Sequence, residues 1–259
     1  MTLDLAVGLS FPFLGTFLGA MTVFFLKSGL ARGTERALTG FAAGVMVAAS
    51  VFSLLLPAIE FAGALDRFAF LPALVGVLFG FLFLLLLDRF VPHHHPWNEH
   101  AEGPHTHLGH SPMLVLSVTL HNLPEGMAVG VVLAARLSGD PSVTFATVLA
   151  LALGIGIQNF PEGAIVSMPL HQGGMRRMPA FLLSVLSAVV ETIGALITLT
   201  AVGIILPLLP YFLAFAAGAM LFVVVEELIP DSADARSHLG TVFFALGFSL
   251  MMTLDVALG

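Results

Sequence analysis

Two seven-residue stretches carry the groups with most chemistry: Leu120-His121-Asn122-Leu123-Pro124-Glu125-Gly126 and Ile157-Gln158-Asn159-Phe160-Pro161-Glu162-Gly163. Each lies near the middle of a long apolar segment. A charge at the centre of a membrane helix costs roughly 3 kcal/mol on insertion scales, so a deep carboxylate marks a functional site. His121 and Glu125 are four apart, as are Gln158 and Glu162, and each pair therefore shares one helical face. Pro124 and Pro161 have no N–H and release the carbonyls of Leu120 and Ile157 from their usual helical partners. Bare carbonyls are tolerated in a hydrocarbon layer where they are buried in protein or line a wet cavity. Imidazole, amide, carboxylate and carbonyl together make a nitrogen and oxygen donor set that suits zinc and other first-row divalent cations. The chain has no cysteine, which excludes thiolate ligands and disulfides.

A third carboxylate joins them. Glu191 is central in its own apolar segment, with Ser184, Ser187, Gly194 and Ala195 on the same stripe. The midpoints of these three segments fall near positions 123, 157 and 191, which puts His121, Asn122, Glu125, Gln158, Asn159, Glu162 and Glu191 at one depth. Met46 and Ser53, seven apart on an earlier segment, share a face; Met46 offers a thioether at mid-depth and Ser53 lines an approach.

The elements that position these groups follow from composition. The 259 residues are 58% hydrophobic and 10% charged, with a mean hydropathy of +1.03, far outside the range of soluble domains. Apolar runs of about 20 residues span a bilayer core as helices, and alternating barrel strands are absent. An all-α integral membrane protein of eight transmembrane helices is expected, over about 4–26, 36–59, 68–91, 112–135, 143–170, 179–203, 207–230 and 239–258. The net charge of -7 argues against a nucleic-acid partner. The start, Met1-Thr2-Leu3-Asp4-Leu5, lacks the basic flank of a cleavable leader. Alternate loops place Lys27, Arg32, Arg36, Arg89, Arg176, Arg177 and Arg236 on one side against Arg67 and Arg136 on the other. The positive-inside rule then puts both termini outside the cytoplasm, in the cell (inner) membrane.

Phe41-Ala42-Ala43-Gly44-Val45-Met46 in the second span matches Phe215-Ala216-Ala217-Gly218-Ala219-Met220 in the seventh, and each helix ends near a proline, Pro57 and Pro230. The two run in opposite directions, as expected of an inverted repeat in an alternating-access transporter. One long loop, 93–110, holds seven of the ten histidines (His93, His94, His95, His100, His105, His107 and His110), a tract that reads as weak metal buffering or regulation. The chain divides into 1–92 (three helices), the His-rich loop 93–111, 112–170 (two central metal-site helices) and 171–259 (three helices repeating the first three in inverted order).

The His-Asn-Leu-Pro-Glu-Gly and Gln-Asn-Phe-Pro-Glu-Gly motifs, the central Glu191 and the His-rich third loop resemble the ZIP family of divalent-metal transporters, especially its bacterial members. The resemblance covers essentially the whole chain. It implies a three-two-three inverted arrangement of eight helices and import of zinc, with iron, manganese or cadmium as further cargo, into the cytoplasm. It also implies an elevator-like movement of the first, fourth, fifth and sixth helices against a dimerising scaffold. By position, one metal meets Met46, His121, Glu125, Gln158 and Glu162; a second meets Asn122, Glu125, Asn159, Glu162 and Glu191. Related bacterial proteins can carry Asp where this chain has Asn159. The three carboxylates leave a charge of -1 with one divalent ion and +1 with two, so the second site is expected to be weak. Glu226 and Glu227 stand where the family can bind metal on the exit side, in a crowd with Asp231, Asp234 and His238, and His171 follows the fifth helix. The apolar Gly- and Ala-rich faces allow a homodimer, and no organic cofactor is implied.

Two readings of other classes compete. An intramembrane zinc hydrolase would use His and Glu to activate water, but the chain has no His-Glu-x-x-His motif and only one deep histidine. A metal sensor built on the His-rich loop would have no use for three midplane carboxylates.

Overall fold

In hydrocarbon every backbone N–H and C=O must be bonded within the protein, and a continuous helix does this within one segment. The computed structural model describes residues 2–26, 29–91 and 110–258. Among them eight helices are long and apolar enough to cross a membrane: α1 (Leu3–Phe25), α2 (Arg32–Phe61), α3 (Phe70–Phe90), α4 (Val118–Leu137), α5 (Phe145–Gln172), α6 (Arg177–Thr200), α7 (Val202–Ser232) and α8 (Leu239–Leu258). The described residues contain no strand. The helix that includes α4 begins earlier, at His110, and α2 begins at Arg32 rather than near 36. The histidine tract before His110 lies outside the described residues.

Pro124 and Pro161 sit inside their helices, which continue past them. The later prolines act differently. Pro57 cannot donate to the carbonyl of Ser53, nor Pro230 to that of Glu226, and just before each proline the helix widens to a π-turn, over Ala49–Leu55 and Val224–Leu228. Both wide turns follow the matching Phe-Ala-Ala-Gly segments. At the start of α5 the Thr144 hydroxyl accepts from Thr147 N–H at 3.1 Å, and the Thr147 hydroxyl accepts in return from Thr144 N–H at 3.2 Å.

Four pairs of helices pack closest, and glycines set their approach. A methyl carbon on Gly15 or Gly19 of α1 would lie 2.0 Å from the carbonyl oxygen of Gly156 or Phe160 of α5. Gly126 of α4 faces Glu191 O of α6 in the same way at 1.9 Å. Between α2 and α8, Gly44 meets Phe244 O at 2.0 Å and Gly247 meets Phe41 O at 2.2 Å. Between α7 and α3, Gly218 meets Val77 O at 2.4 Å and Gly80 meets Phe215 O at 2.2 Å. Such backbone contact is how membrane helices associate where burial from water supplies no drive.

These pairs assemble into two groups. The first holds α1, α4, α5 and α6, the second α2, α3, α7 and α8; they meet mainly where α5 touches α2 and α8, and where α4 touches α7. The apolar core runs through this meeting zone, from Met46, Ala49 and Leu54 to Val131, Leu151, Ile155 and Met220. Large side chains such as Leu78, Phe79 and Leu85 of α3, Leu182 and Ile197 of α6 and Val242 and Leu246 of α8 point outward and are exposed, as a lipid-facing surface requires.

Candidate metal site

The close approach of Gly126 to Glu191 fixes the site. A helix crossing with no side chain between the backbones brings Glu125 and Glu191 to one level, and α5 passes beside both. Gln158 Nε2 donates to Glu125 Oε1 at 2.7 Å, and Asn159 Nδ2 donates to Glu191 Oε2 at 2.8 Å. All four side chains are buried, as is Asn122. The structure thus brings Glu125, Gln158, Asn159 and Glu191 together from α4, α5 and α6. Ser184 and Ser187 lie on the buried stripe of α6 with Glu191, Gly194 and Ala195, and the Ser184 hydroxyl donates to Gly163 O of α5 at 3.0 Å.

The amides consume only half of the oxygens. Glu125 Oε2, Gln158 Oε1, Asn159 Oδ1, Glu191 Oε1 and both polar atoms of Asn122 are buried without a protein partner. A buried acceptor left unbonded costs about 1–3 kcal/mol, and a cation is the species that satisfies several at once. Glu162 is only partly covered, and its carboxylate interacts electrostatically with Glu125, Glu191 and Glu227. Three carboxyl groups this near one another gather oxygen donors in one place.

His121 is directed elsewhere. Its Nε2 pairs with Glu227 Oε1 of α7, both side chains largely buried. Among the described residues no three His, Asp or Glu side chains converge tightly enough to hold one ion: the candidate groups are held as the pairs Glu125–Gln158, Glu191–Asn159 and His121–Glu227. Met46 is fully buried in the core that the two helix groups share.

Of the flanking groups, Ser53 Oγ donates to Asp255 Oδ1 of α8 at 2.8 Å, beside a cavity of about 170 Å³ that Ser53, Pro57, Glu60, Val132 and Thr147 help to line. Glu226 and Glu227 part company: Glu227 turns inward to His121 while Glu226 is exposed. Asp231 accepts from the Thr39 hydroxyl at 3.1 Å and Asp234 pairs with Arg36, so both tie the end of α7 to the start of α2. His171 Nδ1 bonds locally to Met175 O at 2.8 Å, and His238 is exposed. Sequence reasoning reads Asp255 as interfacial with no chemistry, and it missed the His121–Glu227 pair and the part played by α1, where Pro12 O accepts from Asn159 Nδ2 at 3.3 Å. One available signal was the glycine after each motif glutamate, since both make backbone contact with a neighbouring helix.

A bundle of apolar helices around a buried layer of carboxylate, amide and imidazole groups defines a multi-pass membrane protein. The family model for the ZIP zinc transporter matches residues 110–255. Zinc transporter GufA of Myxococcus xanthus is 38% identical over 94% of both chains. Zinc transporter ZIPB of Bordetella bronchiseptica is 39% identical over 95% of this chain and 79% of its own, and zinc transporter ZIP11 of Xenopus tropicalis is 37% identical over 94% of each. The chain belongs to the ZIP zinc transporter family, which is a family of transporters and not of enzymes.

Proposed function

We propose that this protein imports divalent cations, zinc first and with iron, manganese or cadmium as further cargo, through the polar layer between α4, α5 and α6. The observation that carries the reading is the set of buried, unpartnered oxygens on Glu125, Gln158, Asn159 and Glu191, which three helices bring to one level. Relatives named as zinc transporters, covered over most of their length, support zinc as the cargo.

An entering cation takes Glu125 Oε2 and Gln158 Oε1, draws in Glu162 and Met46, and competes with Glu227 for His121. Oxygen and nitrogen donors without thiolate bind softly enough to release, and protonation of His121 or a carboxylate assists release. A second ion beside Asn122, Asn159 and Glu191 meets too little negative charge for tight binding. The distribution of Lys and Arg supports entry from the side of Glu60 and exit near Glu227, with both termini outside the cytoplasm.

Two further features support alternating access by an elevator-like movement of α1, α4, α5 and α6. Exchanging α1 with α6, α2 with α7, α3 with α8 and α4 with α5 carries each close pair of helices onto another. It also maps the Gly44–Phe244 contact onto Gly218–Val77, and Gly247–Phe41 onto Gly80–Phe215. That reciprocity supports an inverted three-two-three repeat, whose halves can exchange conformations between an outward-open and an inward-open state.

The test is uptake of labelled zinc into proteoliposomes by the wild type and by Glu125→Ala and Glu162→Ala, with zinc titration of the same samples. Saturable uptake lost in both variants, and a single tight ion per chain, are expected. Well-folded wild type that binds zinc without moving it would overturn the transport reading, and two ions of comparable affinity would overturn the weak second site.

A further inference from the structure

Helix α1 carries a polar group with no assigned work. Thr16 is 2% exposed, and its hydroxyl has no protein partner. Two other threonines are buried among the described residues. Thr39 and Thr198 bond the carbonyl four residues back, Glu35 O at 3.0 Å and Gly194 O at 2.8 Å, as a helical threonine ordinarily does. For Thr16 that carbonyl belongs to Pro12, and the Thr16 hydroxyl leaves it to Asn159 Nδ2, the same nitrogen that donates to Glu191. Pro12 and Thr16 lie one turn apart on one face. The turn of α1 that touches the polar layer is thus the turn that carries the unused hydroxyl.

The register of the helix pairs points the same way. A methyl carbon on Gly163, next to Glu162, would lie 2.2 Å from Thr16 O, just as one on Gly126, next to Glu125, would lie 1.9 Å from Glu191 O. One turn along, Gly19 meets Phe160 O as Gly194 meets Leu123 O. Thr16 therefore stands to the α5 motif as Glu191 stands to the α4 motif. Where one pair of helices supplies a carboxylate, the other supplies a hydroxyl.

Resting on the metal-transport reading, we infer that Thr16 is a positioning residue for the cargo: its hydroxyl, with Asn159 Oδ1, holds a water that stays on the divalent cation inside the layer. A cation-bound water has two protons to donate and needs two acceptors. Thr16 Oγ1 and Asn159 Oδ1 are both buried oxygens in want of a donor. Keeping that water lets a cation enter without shedding its whole hydration shell.

Thr16→Val keeps the shape and removes the hydroxyl, while Thr16→Ser keeps the hydroxyl and removes the methyl. Zinc uptake kinetics in proteoliposomes and the zinc Kd of the purified protein are measured for both beside wild type. For Thr16→Val, KM and Kd rise roughly tenfold, the loss of one hydrogen bond to a charged species, while the maximal rate stays within about twofold. Thr16→Ser stays close to wild type in all three. If Thr16→Val does not fold, Thr16→Ala is read against Thr16→Ser in its place. Unchanged KM and Kd on loss of the hydroxyl, or an equal defect in Thr16→Ser, would overturn the inference. Wild type that neither binds nor moves zinc would instead sink the transport reading on which it rests.

Discussion

His121 and Glu227 meet across the boundary between the two helix groups, one on α4 and the other on the wide turn of α7. In this state the imidazole nitrogen that a cation would use is already engaged. Glu227 is therefore a competitor for His121, and a cation must displace it or recruit it. Glu227→Ala removes the competitor and is expected to lower the zinc Kd roughly tenfold, the range for a hydrogen bond to a charged group. It should also slow turnover, because nothing then takes His121 back when the ion leaves. Isothermal titration with purified protein and uptake in proteoliposomes measure the two effects separately. A weaker Kd in Glu227→Ala would mean that Glu227 is itself a ligand. The deep carboxylates were legible in the sequence because a charge in hydrocarbon is too costly to be incidental. The His121–Glu227 and Ser53–Asp255 pairs were not, since each joins residues from distant segments with no periodicity in common.

At the scale of the helices, position depends on what is missing as much as on what is present. α4 and α6 approach so closely because Gly126 has no side chain to hold them apart, and Glu125 and Glu191 share a level as a result. Gly126→Ala puts a carbon 1.9 Å from a backbone oxygen, which no rotamer change relieves. Overpacking of this kind costs about 1–3 kcal/mol. The expected outcome is a lowered melting temperature and lost zinc uptake, with Gly63→Ala unchanged because that glycine has nothing within 4 Å. Wild-type uptake by Gly126→Ala would show that the crossing does not set the site. Eight helices could be read from apolar runs alone, but their partners could not. Helices such as α1 and α8, apolar nearly all round, give no face to read, so their pairing with α5 and α2 had no local signal beyond the glycines. Pro57 and Pro230 were visible as markers, although the π-turns that they produce were not.

For the whole molecule, the division into two groups of four helices decides how a buried ion could reach either side. The polar layer lies within the first group, apart from Met46 and Glu227, so the ion travels with that group if the group moves as a body. The contact zone must then slide while the inside of each group stays fixed. Gly154 of α5 and Met251 of α8 meet across this zone, a carbon on Gly154 lying 2.2 Å from Met251 Sδ. Gly33 of α2 and Leu239 of α8 meet within the second group, at 3.7 Å. The chain has no native cysteine, so paired cysteines can be introduced without background. Linking Gly154→Cys to Met251→Cys with a short bis-thiosulfonate reagent, which attaches to each thiol through a disulfide with loss of sulfinate, is expected to stop zinc uptake, and reductant to restore it. Replacing Met251 also clears the long side chain that would otherwise crowd position 154. The same linkage between Gly33→Cys and Leu239→Cys leaves uptake intact, because both residues ride on the same group. Uptake that survives a completed 154–251 cross-link would mean that the ion passes between stationary groups, as through a channel.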